Sequence, residues 1–139
     1  ITVLDVSASA LARARDRLGE RAEDIQWIEM DITACEPPHR YQLWHDRAVF
    51  HFLTEKKDRA RYVEAIQRSL LPDGHVIIMT FAIDGPRKCS GLDIVQYDAE
   101  KLQMELGNGF KLIESGYELH KTPAGGDQKF AWFRLVLKK

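Results

Sequence analysis

The stretch from residue 41 to residue 53 constrains the chain most. Residues 41–44 (Tyr-Gln-Leu-Trp) read as a buried strand, His45-Asp46-Arg47 turns polar, and residues 48–53 become apolar again with His51 embedded among them. A polar triplet at the carboxyl end of a strand, followed by a crossover segment, is where open α/β sheets keep their ligands. This stretch therefore asks for a parallel sheet, with strand–helix units on either side of it.

The flanking sequence supplies them. Residues 1–4 are a short, β-branched apolar run ending in Asp5, which fits a parallel strand buried on both faces. Ser7 stands where it can cap a helix carrying Leu11, Ala14 and Leu18 at helical spacing, and Gly19 suits the position just past the end. Residues 25–30 form the next strand, ending in Asp31, and Glu36-Pro37-Pro38 stops any helix there. After the organising strand, Thr54 is expected to cap a helix over residues 55–70, with Ala60, Val63, Ile66 and Leu70 as its buried stripe. Leu71-Pro72-Asp73-Gly74 is a turn, and residues 75–81 are the most apolar strand and hence the central one. Residues 85–95 read as a loop, and Asp98 caps a short helix with Leu102 and Leu106, closed by Gly107. Residues 110–119 and 129–137 are two long strands joined by Thr122-Pro123-Ala124-Gly125-Gly126-Asp127, an antiparallel hairpin.

The order is β-α-β-β-α-β-loop-α-β-β. It implies an α/β fold: a Rossmann-like, mostly parallel sheet with helices on both faces and a C-terminal antiparallel hairpin. The length of 139 residues is expected to form a single domain spanning 1–139. The chain has no initiator Met and opens in mid-strand, so it reads as an N-terminally truncated domain. A net charge of -1 argues against a general nucleic-acid or membrane-surface binder, and no apolar run approaches membrane-spanning length. The two cysteines, Cys35 and Cys89, and five scattered histidines make no metal spacing, so no metal is expected. A reducing, cytoplasmic setting is the default for such cysteine usage.

Two acids draw attention as ligand contacts. Asp5 ends one strand and Asp31 ends its expected neighbour on the same sheet edge. A carboxylate in the first position can accept hydrogen bonds from vicinal ribose hydroxyls. The alternative reading of either is turn chemistry.

Four segments in order carry a resemblance: Leu4-Asp5-Val6-Ser7, Glu29-Met30-Asp31-Ile32, the strand-to-turn stretch from Leu43 to Leu53, and Leu70-Leu71-Pro72-Asp73-Gly74-His75-Val76-Ile77-Ile78. Together with the terminal hairpin they resemble the class I S-adenosylmethionine-dependent methyltransferases, whose seventh strand runs antiparallel. The likeness covers nearly the whole chain. The family's first strand and glycine-rich loop, which hold the methionine end of the cofactor, would precede Ile1, so the first strand of the family fold is expected to be missing and the sheet to have a gap at its centre.

The resemblance implies roles by position. Asp5 would bind the ribose hydroxyls of S-adenosylmethionine, with Val6 and Ser7 beside the adenine. Asp31 and Ile32 would meet the adenine edge. Asp46 and Arg47 would lie near the methionine moiety. His45, Trp44 and Phe50 read as packing residues. His51 is the candidate general base, needed only if the nucleophile arrives protonated; its alternative is a core residue. The 85–95 loop, with Arg87, Lys88 and Ser90, would contact the methyl acceptor, a small molecule in preference to a protein side chain. Two rival readings stand beside this one: a nicotinamide-dependent oxidoreductase of Rossmann type, in which Asp5 would serve an adenosine ribose equally well, and a non-catalytic domain that keeps the fold for binding.

Overall fold

The computed structural model describes residues 1–138, and the chain divides into two compact units, Ile1–Glu36 and Pro37–Lys139. The first is a βαβ unit. Strand β1 (Thr2–Asp5) leads through Ser7 into helix α1 (Ala8–Leu18), a short 3₁₀ segment follows, and strand β2 (Gln26–Glu29) pairs with β1 in parallel, from Thr2 opposite Gln26 to Asp5 opposite Glu29. Ser7 caps α1 as expected, its Oγ accepting the Ala10 N–H at 3.2 Å. Parallel strands need such a crossover because no tight turn can reverse the chain twice.

The second unit holds strand β3 (Tyr41–Arg47), helix α2 (Lys56–Ser69), strand β4 (Leu70–Phe81), the two-residue strands β5 (Lys88–Cys89) and β6 (Leu92–Asp93), helix α3 (Ala99–Leu106), and strands β7 (Phe110–Lys121) and β8 (Asp127–Leu137). The long strands form one sheet in the order β3-β4-β8-β7. Strands β3 and β4 run parallel, β8 lies antiparallel against β4, and β7 closes the hairpin on the outside. This is the arrangement expected from the sequence, with the last strand inserted beside residues 75–81.

Three local expectations are corrected. The polar triplet His45-Asp46-Arg47 belongs to β3 itself, because pairing with β4 continues to Arg47 opposite Met79. The chain turns only at Ala48, whose φ of 66° marks the corner and whose N–H binds the Met79 carbonyl at 2.8 Å. Helix α2 is entered from Glu55, not Thr54, and its buried face is Tyr62, Ala65, Ile66 and Ser69. Ala60 is exposed and Val63 half-buried, so the expected stripe is rotated around the helix. The Leu71–Gly74 turn is an outward bulge at the start of β4: Tyr41 pairs with Leu70, and the next pair is Leu43 with His75.

The core of the second unit is built on alternate residues of the two central strands. Val76, Ile78 and Thr80 of β4 stand opposite Leu135, Phe133 and Ala131 of β8, and all six are buried. Phe50, Tyr62, Ile66, Tyr97, Leu102 and Leu106 are buried with them. Asp98 caps α3 by accepting the Lys101 N–H at 2.8 Å, as expected. No helix among the described residues is long and apolar enough to cross a membrane.

Between Phe81 and Tyr97 the chain leaves the sheet and returns. Its base is tied down: the Ala82 N–H binds the Lys129 carbonyl at 3.0 Å, the Tyr97 N–H binds the Phe81 carbonyl at 3.1 Å, and Asp84 pairs with Lys129 at 2.6 Å. Gly85 fits here because a Cβ would stand 2.6 Å from the Lys129 carbonyl oxygen and 3.1 Å from that of Ala82. Gly85→Ala should therefore cost ~1–3 kcal/mol of stability through overpacking against backbone, read as a lower midpoint in urea denaturation. An unchanged midpoint would mean that this backbone approach is not held in solution.

Candidate functional site

In the first unit the carboxyl ends of the two parallel strands lie side by side, joined by a hydrogen bond from the Met30 N–H to the Asp5 carbonyl at 3.1 Å. The half-buried Asp5 side chain turns onto the helix entry, where Oδ1 accepts the Ser7 N–H at 2.8 Å. Val6, between them, is 72% exposed. Asp31 follows β2 and opens a 3₁₀ turn; its Oδ1 accepts both the amide N–H and the hydroxyl of Thr33, each at 2.8 Å. Ile32 is buried at 7% exposure. Two carboxylates and an exposed aliphatic side chain thus crowd one strand-end edge. Each acid also does the turn chemistry that was its alternative reading. A cavity of about 330 Å³ elsewhere in this unit, running between α1 and β2 from Ala8 and Ala12 to Trp27, includes none of these residues.

In the second unit Asp46 is 4% exposed, and its carboxylate is spent inside its own corner. Oδ1 accepts the Val49 N–H at 2.8 Å and Oδ2 the Phe50 N–H at 3.0 Å. The Tyr62 hydroxyl donates to Oδ2 and in turn accepts the Trp44 indole N–H at 3.1 Å. Burial pushes the Asp46 carboxyl above its ordinary value, against the pull of these donors, and burial beside that carboxylate pushes the Tyr62 phenol well up. The expectation that Asp46 touches a ligand is corrected: its oxygens hold the corner from Ala48 to Phe52. Arg47, next along the strand, points the other way. It is exposed, with its guanidinium 5.8 Å from the centre of the Phe130 ring.

His51 lies in the core with no exposed surface. Its Nδ1 accepts the Phe81 N–H at 3.3 Å, and its ring packs on Phe52 and Phe81 at centroid distances of 4.6 and 5.0 Å. Desolvation lowers its pKa to about 4. A neutral imidazole that accepts at Nδ1 carries its proton on Nε2, and so has no second lone pair to act as a base. The core alternative replaces the base reading. Of the three residues expected to pack, Phe50 is buried and Trp44 half-buried, whereas His45 is exposed.

Sequence reasoning missed Tyr62. A tyrosine on the buried face of a helix signals that its hydroxyl has a partner, and Asp46 is that partner. In the excursion, Arg87 and Ser90 are exposed, and Lys88 pairs with Asp93 at 3.5 Å across the β5–β6 hairpin.

Comparison with known proteins agrees with this architecture. Residues 1–74 match the model of a family described as a methyltransferase domain. Over 84 residues the chain is 27% identical to a malonyl-[acyl-carrier protein] O-methyltransferase 2 of Ilyobacter polytropus, a match that takes in 60% of this chain and 31% of that protein. The chain thus spans about a third of this curated relative. Among solved structures, the N-methyltransferase NodS of Bradyrhizobium japonicum superimposes with a TM-score of 0.78 at 20% identity, covering 99% of this chain and 73% of that one. The 1,6-didemethyltoxoflavin-N1-methyltransferase of Burkholderia thailandensis does so with a TM-score of 0.72 at 18% identity, covering 99% and 61%. At these identities the likeness is one of fold.

Tyr62→Phe tests the buried corner. Losing the hydroxyl leaves Asp46 Oδ2 and the Trp44 indole each short of a partner, so stability should fall by ~1–3 kcal/mol. The loss should also grow with pH. A carboxyl whose folded pKa lies above its unfolded value gives up stability as pH rises through that window. Removing a donor to the carboxylate raises the folded pKa further and extends the window upward. Urea denaturation of both proteins at acid and neutral pH measures the difference; a penalty independent of pH would contradict the assignment.

Proposed function

The chain belongs to the methyltransferase domain family, and on that premise we propose that it serves S-adenosylmethionine-dependent methyl transfer to a small-molecule nucleophile. The family match lends the oxidoreductase alternative no support. The observation that carries the cofactor reading is the strand-end edge of the first unit, where the Asp5 carboxylate stands beside the exposed Val6. That pairing fits an adenosine: an anionic acceptor for vicinal hydroxyls and an aliphatic surface for a flat ring. On this reading Asp5 binds the ribose, Val6 and Ser7 flank the adenine, and Asp31 and Ile32 line its edge.

Bound S-adenosylmethionine would supply a methyl group already activated by its sulfonium, so the protein's task is to align the nucleophile and keep water out. In the second unit Asp46 acts by shaping the corner after β3, and Arg47 is the exposed side chain there for which a ligand contact stays proposed. The excursion between Phe81 and Tyr97 is assigned to the methyl acceptor, with Arg87, Lys88 and Ser90 exposed on it. A small-molecule acceptor agrees with the 1,6-didemethyltoxoflavin bound by the Burkholderia neighbour. No residue is assigned as a general base.

Asp5→Ala tests the cofactor reading. S-adenosylmethionine and S-adenosylhomocysteine carry the same ribose, so both should bind more weakly by roughly 1.5–3 kcal/mol, the worth of hydrogen bonds to a charged acceptor. Titration calorimetry showing unchanged affinity for both would remove Asp5 from the site.

A further inference from the structure

His51 is bonded to both feet of the excursion that leaves the sheet at Phe81. Its ring Nδ1 accepts the Phe81 N–H at 3.3 Å, where the chain departs, and its backbone carbonyl accepts the Val95 N–H at 2.8 Å, where the chain returns. The other ties at this base are independent of it: Tyr97 to Phe81, Ala82 to Lys129, and the Gln96 amide to the Gly85 and Pro86 carbonyls at 2.6 and 3.1 Å. The Phe81 amide is the last link of β4, with Phe81 and Ala82 fully buried, so without the ring it would be a buried donor lacking a partner. The histidine is itself fixed, because Asp46 holds the preceding corner through the Val49 and Phe50 amides. Its Nε2 is buried without a hydrogen-bond partner among the described residues.

We propose that His51 is a positioning residue: held as the neutral Nε2–H tautomer, it pegs both feet of the excursion to the corner after β3 and so sets where the methyl acceptor is met. The inference rests on the assignment of the excursion to the acceptor. It replaces proton transfer at this histidine with a fixed hydrogen-bond acceptor. The ring's depressed pKa, caused by desolvation, is consistent with it.

Two measurements on the full chain test the peg. Long-range proton–nitrogen correlation spectra of the wild-type protein should show Nδ1 of His51 unprotonated and Nε2 protonated, unchanged from mildly acidic to mildly alkaline solution. Amide exchange should then separate two variants. His51→Leu fills much of the volume but offers no side-chain acceptor, and exchange at Phe81 should quicken roughly tenfold or more, whereas Val95, bound to the backbone carbonyl that Leu retains, should change far less. His51→Asn returns an oxygen near the position of Nδ1 and should restore most of the protection, while the amides of α1 stay as they were in both. A proton on Nδ1, a ring that titrates near neutrality, or a His51→Leu protein with undiminished protection at Phe81 would each overturn the proposal. If His51→Leu does not fold, the wild-type tautomer and the Asn variant decide. S-adenosylhomocysteine titrated into the same wild-type sample separates the two readings: failure to bind it, with the tautomer and exchange pattern intact, refutes the proposed function and not the peg.

Discussion

The second unit depends on one buried carboxylate. Asp46 sits at the end of a strand whose neighbours on both sides are exposed, yet it is itself almost wholly removed from water. Burying an unpaired carboxylate would cost far more than a small unit can absorb. Here two backbone amides of its own corner and a phenol from α2 surround it. Those donors exist in the right places only if the chain turns at Ala48 and α2 packs with Tyr62 inward. The carboxylate thus selects the corner, and the corner selects where Phe50 and His51 enter the core.

From that corner the consequences run along the sheet. His51 meets the end of β4, the end of β4 starts the excursion, and the excursion returns at Tyr97 against the Phe81 carbonyl. Polar links in a dry interior specify one arrangement because each unpaired alternative is expensive. The first unit works differently. Its strand-end acids are at the surface or near it, each bound to a neighbouring turn amide, and its aliphatic Val6 lies open. One unit spends its polar groups on internal order; the other keeps them where a ligand could use them.

The elements whose signals are local were legible in the sequence. Ser7 and Asp98 cap their helices, residues 75–81 are central, and the terminal strands close as a hairpin with β8 against β4. What escaped were the features decided by tertiary partners. The apolar run places the strand at residues 41–44, but pairing that continues to Arg47 opposite Met79 extends it through the polar triplet. The α2 stripe was read from aliphatic spacing, while the helix is rotated to bring Tyr62 to Asp46, a contact between residues 16 apart in sequence. His51 looked like a base because histidine in an apolar run has that chemistry in principle; the Phe81 amide that occupies its lone pair lies 30 residues away. In the first unit Asp5 closes β1 as the sequence suggests, whereas β2 stops at Glu29 and Asp31 stands two residues beyond it, capping a 3₁₀ turn.

On the proposed reading, the first unit's strand ends carry an adenosine site. Backbone amide spectra of the protein, recorded as S-adenosylhomocysteine is added, map that site residue by residue. Saturable shifts are expected, concentrated at Asp5, Val6, Ser7, Asp31 and Ile32. Shifts confined to other parts of the chain, or none at saturating ligand, would contradict that reading.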